Sequence, residues 1–338
     1  MAIEQIEIDN LLVFSNNKFS MDFCKGINVF IGSNGSGKTT LLKLLYAACN
    51  RTHEKISQRN KQLYEFFSTN SEDKETKTIW KTNAKYCLKI DGVTLKYRND
   101  ETTFTVTEEN RKIFETNIQS VYIPTTEMLS HSKGFLAMNE KYKMPFDVTQ
   151  TDIIVNAELP ETRKISTVSE TLLAKIRKII DGEVLYENDT FYIVKSSGQK
   201  IAYPYEAEGF RKMGLLWKLI RNGLLESGSI LFWDEPECNI NPEHLPVLVD
   251  ILLTMQRNNV QIFVATHNYN LARYFDVLRQ KNDDVIFYNL SKHNHTVRYD
   301  KSAEYVKLAS SVLDEADQAL FDAVAKYMVE KTNDKNNF

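Results

Sequence analysis

The chain has 338 residues, 26% of them charged and 42% hydrophobic, with a formal net charge of −3. That is enough for one large α/β domain with insertions or for two ordinary domains; the balance is that of a soluble globular protein and excludes a chain drawn to nucleic acid by overall charge, leaving only a local basic patch. The start, MAIEQIEIDN, lacks a basic n-region and an unbroken apolar stretch, no segment reaches the ~18 apolar residues needed to cross a bilayer, and Cys24, Cys49, Cys87 and Cys238 lie far apart with no C-x-x-C pair, so a cytoplasmic protein with reduced thiols and no membrane partner is expected.

Short β-type runs predict strands over Ile3–Ile8 and Leu11–Phe14, then Gly26–Ile31, and a helix over Lys38–Cys49 that buries Leu41, Leu42, Leu44 and Leu45. Asn50–Asn83 is polar and reads as a surface excursion. Tyr86–Val106 alternates, with turn signals at Asp91-Gly92 and Arg98-Asn99-Asp100, which predicts an antiparallel β layer. Gln119–Ile123 is an apolar strand stopped by Pro124. Helical, charged sequence runs from Glu127 to about Gly182, clearest in SETLLAKIRKIIDG, and β character returns over Glu183–Ala202. The last third alternates: helix Ala207–Leu225, strand Ser229–Trp233, helix Pro242–Gln256, strand Val260–Ala265, helix Tyr269–Leu278, strand Asp284–Asn289. That is the order of a parallel sheet. A later amphipathic helix carries Val312, Leu313, Ala316, Leu320 and Val324; its letters DEAD at Asp314–Asp317 are surface acids, because no strand precedes them.

The segment from Gly32 to Thr39, GSNGSGKT, matches G-x-x-x-x-G-K-[ST] and has a strand before it and a helix after it. Gly32, Gly35 and Gly37, with Ser33, Asn34 and Ser36 between them, let backbone N–H groups converge on a phosphate chain. The helix adds its positive end. Lys38 is placed to reach the β- and γ-phosphates of ATP, Thr39 to ligate Mg²⁺ and Thr40 to bond the α-phosphate. SILFWDEPE supplies the acidic partner: Asp234 for the metal and Glu235 as general base for the attacking water. QIFVATHN is a further buried strand, and its His267 is a candidate contact for the γ-phosphate.

This order of phosphate loop, acidic strand and histidine strand resembles the ABC-type ATPases. The segment DEPECNINP, Asp234 to Pro242, resembles more narrowly the OLD, RecF and SMC branch of that family. The resemblance implies an α/β P-loop NTPase: an ABC-type ATPase head with a mixed sheet core, an N-terminal antiparallel β layer and a helical insertion. Its core would comprise residues 1–50, 85–127 and 202–300, interrupted by the polar excursion 51–84. The insertion 128–201, mostly helical and ending in a β hairpin, would dock a partner, and 301–338 would form a C-terminal helix and polar tail. It also implies that ATP joins two copies face to face. YEAEGFRKMGLLWKLI falls where the signature helix of the facing copy belongs, with Gly209 at the helix start. Ala207 stands where the family has a serine, and Arg211 or Lys212 would compensate. Glu127, in a P-x-x-E pattern after Pro124, would help hold Mg²⁺. Glu237 and Asn241 would lie in the loop that crosses the dimer interface, with Asn241 also capping the next helix.

Three roles are compatible with such a machine. One is an ATPase subunit whose ATP-dependent dimer gates a separately encoded nuclease or toxin in anti-phage defence. OLD-branch relatives often carry a C-terminal nuclease domain, and this chain ends about fifty residues after its last predicted sheet strand, which leaves no room for one. The second is a RecF- or SMC-like DNA-binding clamp using Arg163, Lys164, Lys175, Arg177, Lys178, Arg211, Lys212, Lys218 and Arg221. The third, a transporter's nucleotide-binding subunit, fits least with Ala207 and with the lack of a glutamine after Pro124.

Overall fold

The computed structural model describes residues 2–50, 66–67, 85–98, 118–142, 144–308, 315 and 318–327. The polar excursion falls almost wholly outside the described residues, as do Asn99, Asp100 and much of the segment after residue 308.

A six-stranded sheet forms the centre, in the order β13-β12-β3-β11-β10-β6. Its strands are β3 (Ile27–Gly32), β6 (Ser120–Ile123), β10 (Ile230–Asp234), β11 (Gln261–Ala265), β12 (Val285–His293) and β13 (Thr296–Ser302). All neighbours are parallel except β12 and β13. Every residue of β3, β10 and β11 is buried, as expected of parallel strands covered on both faces. Alternate side chains enter two different cores. Val29, Ile31, Leu231, Trp233, Ile262 and Val264 face one, while Phe30, Phe232, Phe263 and Ala265 face the other. The stacked Phe232 and Phe263 rings, 5.1 Å apart, illustrate the second, where each fully buried phenylalanine contributes about 1.5–3 kcal/mol.

That second core lies between the sheet, α1 (Lys38–Asn50) and a four-stranded antiparallel sheet, β2-β1-β4-β5. The latter comprises β1 (Ile3–Leu11), β2 (Phe14–Asp22), β4 (Lys85–Ile90) and β5 (Val93–Arg98). Asp91-Gly92 makes the β4–β5 turn with both residues at positive φ, the geometry of a type I′ hairpin. Gln261 pins the two sheets together: its side chain accepts from Ile3 N at 2.7 Å and donates to Ile3 O at 2.8 Å.

The opposite face is covered by helices. They are α2 (Phe135–Tyr142), α3 (Val148–Glu158), α4 (Thr167–Ile180), α5 (Glu208–Arg221), α6 (Leu245–Arg257) and α7 (Tyr269–Leu278). Leu172, Leu173, Ile176 and Ile180 recur at helical spacing on α4 and are all buried. They share one core with Trp217 and Leu231. A small antiparallel sheet, β7 (Gly182–Glu187), β8 (Thr190–Lys195) and β9 (Lys200–Ala202), closes this side.

Four sequence expectations need correction. Leu11–Phe14 is the β1–β2 turn, not a strand: Leu12 sits at φ 51° and Leu11 pairs with Phe14. The helix expected from Pro242 opens as a 3-10 turn, Pro242–His244, before α6 begins. The last strand runs on to His293 and returns as β13 through Asn294-His295, both at positive φ. The hairpin expected at the end of the 128–201 insertion is a three-stranded sheet, matching the three β runs EVLYEN, TFYIVK and QKIAY in that stretch. On the helical segment 318–327, Leu320 and Val324 are exposed.

Candidate functional site

The backbone of residues 32–38 dictates its own composition. Gly32, Gly35 and Gly37 all have positive φ. A Cβ on Gly32 would lie 2.1 Å from Leu290 O, and one on Gly37 would lie 2.9 Å from a Val13 methyl. A Cβ on Gly35 would meet nothing within 4 Å, so the crown of the loop is open. Ser36 Oγ is buried and has no hydrogen-bond partner among the described residues. Lys38 is nearly buried and its Nζ donates to the carbonyls of Gly32 at 2.7 Å and Ser33 at 3.1 Å. Burial of the ammonium lowers its pKa, while Glu235, Asp234 and Glu237 act in the opposite direction. These are neutral acceptors around a positive charge, with loop N–H groups at a helix start, which suits an anion.

Sheet register brings the other strand tips to the loop. Asp234 is the last residue of β10 and lies beside Ala265, the last of β11. Glu235 N donates to Ala265 O at 2.8 Å, and Thr266 N donates to Phe30 O at 2.9 Å. The side chains emerging just past that point converge. Thr39 Oγ1 donates to Asp234 Oδ2 at 2.9 Å. His267 Nδ1 lies 3.1 Å from Glu235 Oε1. Glu235 adopts φ 50°, a conformation disfavoured for a residue with a side chain. Burial raises the Asp234 pKa, against the lowering hydrogen bond from Thr39.

Several partners escaped sequence reasoning. Tyr122 OH, from β6, also faces Asp234 Oδ2, at 3.4 Å. Cys238 Sγ lies 3.8 Å from Glu235 Oε2. Thr266 Oγ1 donates to Glu237 Oε1 at 2.6 Å. None of these residue types signals a site by itself, and only the fold brings them together.

The residues expected to face a second copy are arranged differently. Gly209 opens α5 against the loop after Glu235; a Cβ there would lie 2.7 Å from Asn239 O. Ala207 is the N-cap residue and provides no side-chain cap. Of Arg211 and Lys212, expected to compensate for the missing serine, Arg211 Nη1 lies 3.2 Å from Glu127 Oε2, and Lys212 is buried, which lowers its pKa. Glu127, expected beside the metal, instead accepts from Leu129 N at 2.6 Å and Ser130 N at 3.2 Å. It caps the short turn that follows and neutralises Arg211. Glu237, expected at an interface, is buried against Thr266, and burial raises its pKa. Asn241 is exposed and its side chain accepts from Glu243 N at 3.2 Å.

The candidate basic patch is also largely spent inside the chain. Lys175 pairs with Asp250, Arg177 with Glu183, and Lys218 and Arg221 with Glu161. Among the described residues, only Arg163, Lys164 and Lys178 of that group stay exposed outside such pairs.

A family model described as an AAA domain matches residues 5–201, more than half of the 338. The chain belongs to the AAA domain family. No curated protein matches it. Its fold is similar to an SMC head solved bound to the C-terminal winged-helix domain of ScpA, at 13% identity over 89% of this chain and 98% of that one, with a TM-score of 0.52. The SMC head domain from Thermotoga maritima is 14% identical over 89% of this chain and 99% of that one, with a TM-score of 0.49. The fold is thus that of a P-loop NTPase with an SMC-head-like mixed sheet. Among the described residues, no helix is long and apolar enough to cross a membrane.

Proposed function

We propose that the chain binds ATP with Mg²⁺ on the 32–40 loop and hydrolyses it, and that ATP pairs two copies to gate a separately encoded effector. The observation that carries the chemistry is the Thr39–Asp234 contact beside the Glu235–His267 contact. Thr39 and Asp234 form an oxygen donor pair of the kind that holds Mg²⁺ together with substrate phosphates. Among the described residues there is no cluster of three or more His, Cys, Asp or Glu side chains fit to hold a metal by itself, in keeping with a cation that depends on the nucleotide. The open crown at Gly35 and the unpartnered Ser36 hydroxyl leave room and a polar contact for phosphate oxygens.

In this reading the bound Mg²⁺–ATP supplies the electrophilic phosphorus and charge neutralisation. Lys38 turns from the loop carbonyls to the phosphates. Glu235 takes the proton of the attacking water, and His267 fixes the carboxylate's direction and senses the γ-phosphate. Purified protein should release phosphate from ATP only when a divalent cation is present. A chain that neither binds nor turns over ATP under those conditions overturns the reading.

The same proposal assigns 1–50, 85–127 and 202–300 to the ATPase core and 128–201 to effector docking. The effector is a nuclease or toxin, and the setting is anti-phage defence; support comes from the likeness of Asp234–Pro242 to the OLD branch. The pairing of the basic residues with internal acids favours this over a DNA clamp. DNA cleavage by the purified chain alone would contradict the effector assignment. Strong, salt-dependent DNA binding in ATP would favour the clamp instead.

A further inference from the structure

Thr39, Lys43 and Tyr46 are spaced four and three residues apart on α1 and so share one face. Each meets an aspartate, one at the tip of β10 and two at or within α3. Thr39 Oγ1 donates to Asp234 Oδ2 at 2.9 Å, Lys43 Nζ to Asp147 Oδ2 at 2.5 Å, and Tyr46 OH to Asp152 Oδ2 at 2.8 Å. Lys43 lies one helical turn beyond Thr39, and its ammonium rides on a flexible four-carbon stem. That stem is about as long as one helical turn, so turned back along the stripe it points towards Thr39 and the Asp234 carboxylate that Thr39 contacts.

Asp147 is built to prevent the swing. It is the N-cap of α3: its Oδ1 accepts from Thr149 N at 2.8 Å, and the Gln150 side chain accepts in return from Asp147 N at 3.2 Å. That capping box fixes the carboxylate. The Lys43 and Asp147 side chains are only 15% and 13% exposed, so water screens their attraction little. The α3 helix is itself held at both ends. Ile153, Ile154 and Ala157 enter the core, and Asn222, after α5, donates to Asn156 O at 3.0 Å.

We propose that Asp147 is a positioning residue that holds the Lys43 ammonium off Asp234, leaving that carboxylate free for a divalent cation beside Thr39. The proposal rests on the reading of the 32–40 loop as a magnesium–nucleotide site. Asp147→Asn removes the charge and keeps an N-cap acceptor, so α3 stays capped. Freed Lys43 then competes with the cation. Adding Lys43→Met removes the competitor.

The test is Mn²⁺ binding in the presence of ADP, with free Mn²⁺ read by electron paramagnetic resonance, beside thermal melts without ligand. Asp147→Asn is expected to weaken Mn²⁺ binding about tenfold, the scale of one partly buried ion pair. The double variant is expected to recover to within about twofold of wild type, since the two changes act through one contact. Wild-type-like binding by Asp147→Asn overturns the proposal, as does a double variant that stays as weak as the single one, which marks a purely structural role. If the unaltered protein binds ADP but the single variant shows no deficit, only the positioning claim falls. If the unaltered protein binds neither ADP nor Mn²⁺, the nucleotide-site reading falls first and takes the positioning claim with it.

Discussion

The α1 and α5 helices each have a glycine at their start, Gly37 just before Lys38 and Gly209 just after Glu208, yet their starts are built for opposite purposes. At α1 the glycines hold the backbone in positive φ, the loop crown is open, and the charges around it are incompletely matched: Lys38 rests on carbonyls and Asp234 on hydroxyls. At α5, Gly209 is needed because the Asn239 carbonyl packs where a Cβ would stand, and the nearby charges are already matched or buried: Arg211 on Glu127, and Lys212 within the core. The first end is poised for a ligand within one chain. The second end is closed off within the chain by the Arg211–Glu127 pair, while Lys212 Nζ is buried with no hydrogen-bond partner among the described residues; facing a second copy requires these internal contacts to rearrange.

The contrast breaks most sharply at Lys38. Lys38→Ala should lower ATP affinity a hundredfold or more, about 3 kcal/mol or above for a lost charge-assisted phosphate contact, measured by isothermal titration; undiminished binding would place the nucleotide elsewhere. Glu235→Gln comes next. Turnover should fall about 10²–10⁴-fold, the range for removal of a general base, with ATP affinity retained and an ATP-dependent pair of copies visible by light scattering. Wild-type turnover would remove Glu235 from the chemistry. At the other end, Arg211→Ala should act on stability and not on nucleotide. Leaving the buried Glu127 carboxylate without its cation should cost about 3 kcal/mol, read from urea unfolding, while ATP affinity of the single chain stays within about twofold. A loss of affinity with unchanged stability would make Arg211 a ligand of its own chain's nucleotide.

Sequence carried the first end much further than the second. The phosphate loop, the acidic tip of β10 and the histidine after β11 are short local patterns on strands whose buried runs are unmistakable, and parallel register then brings Asp234, Glu235 and His267 together without further information. What sequence could not carry was pairing at a distance. Glu127 and Arg211 are 84 positions apart by their numbers, and Lys43 and Asp147 are 104 apart; nothing local marks either acid as taken. The same blindness made Lys218 and Arg221 look like a basic patch when Glu161 neutralises both. The Leu11–Phe14 error has another cause: Leu12 adopts a left-handed turn that apolar composition disguises as strand.

The subtlest test of the first end is its response to pH. Burial raises the Asp234 pKa above its unfolded value, so the folded state holds that proton more tightly than the unfolded chain does. The stabilisation from this group is therefore full below the unfolded pKa and is lost as pH rises through the folded one. Asn at this position cannot ionise and still accepts from Thr39. Asp234→Asn should therefore raise the unfolding midpoint of the nucleotide-free protein at neutral pH, with the gain shrinking towards zero as pH falls into the carboxylate range. Urea unfolding of the Asp234→Asn variant and the unaltered protein across pH checks this. If Asp234→Asn is destabilising at neutral pH, the ionised carboxylate is a net stabiliser of the empty site, and the picture of an end awaiting its cation is wrong.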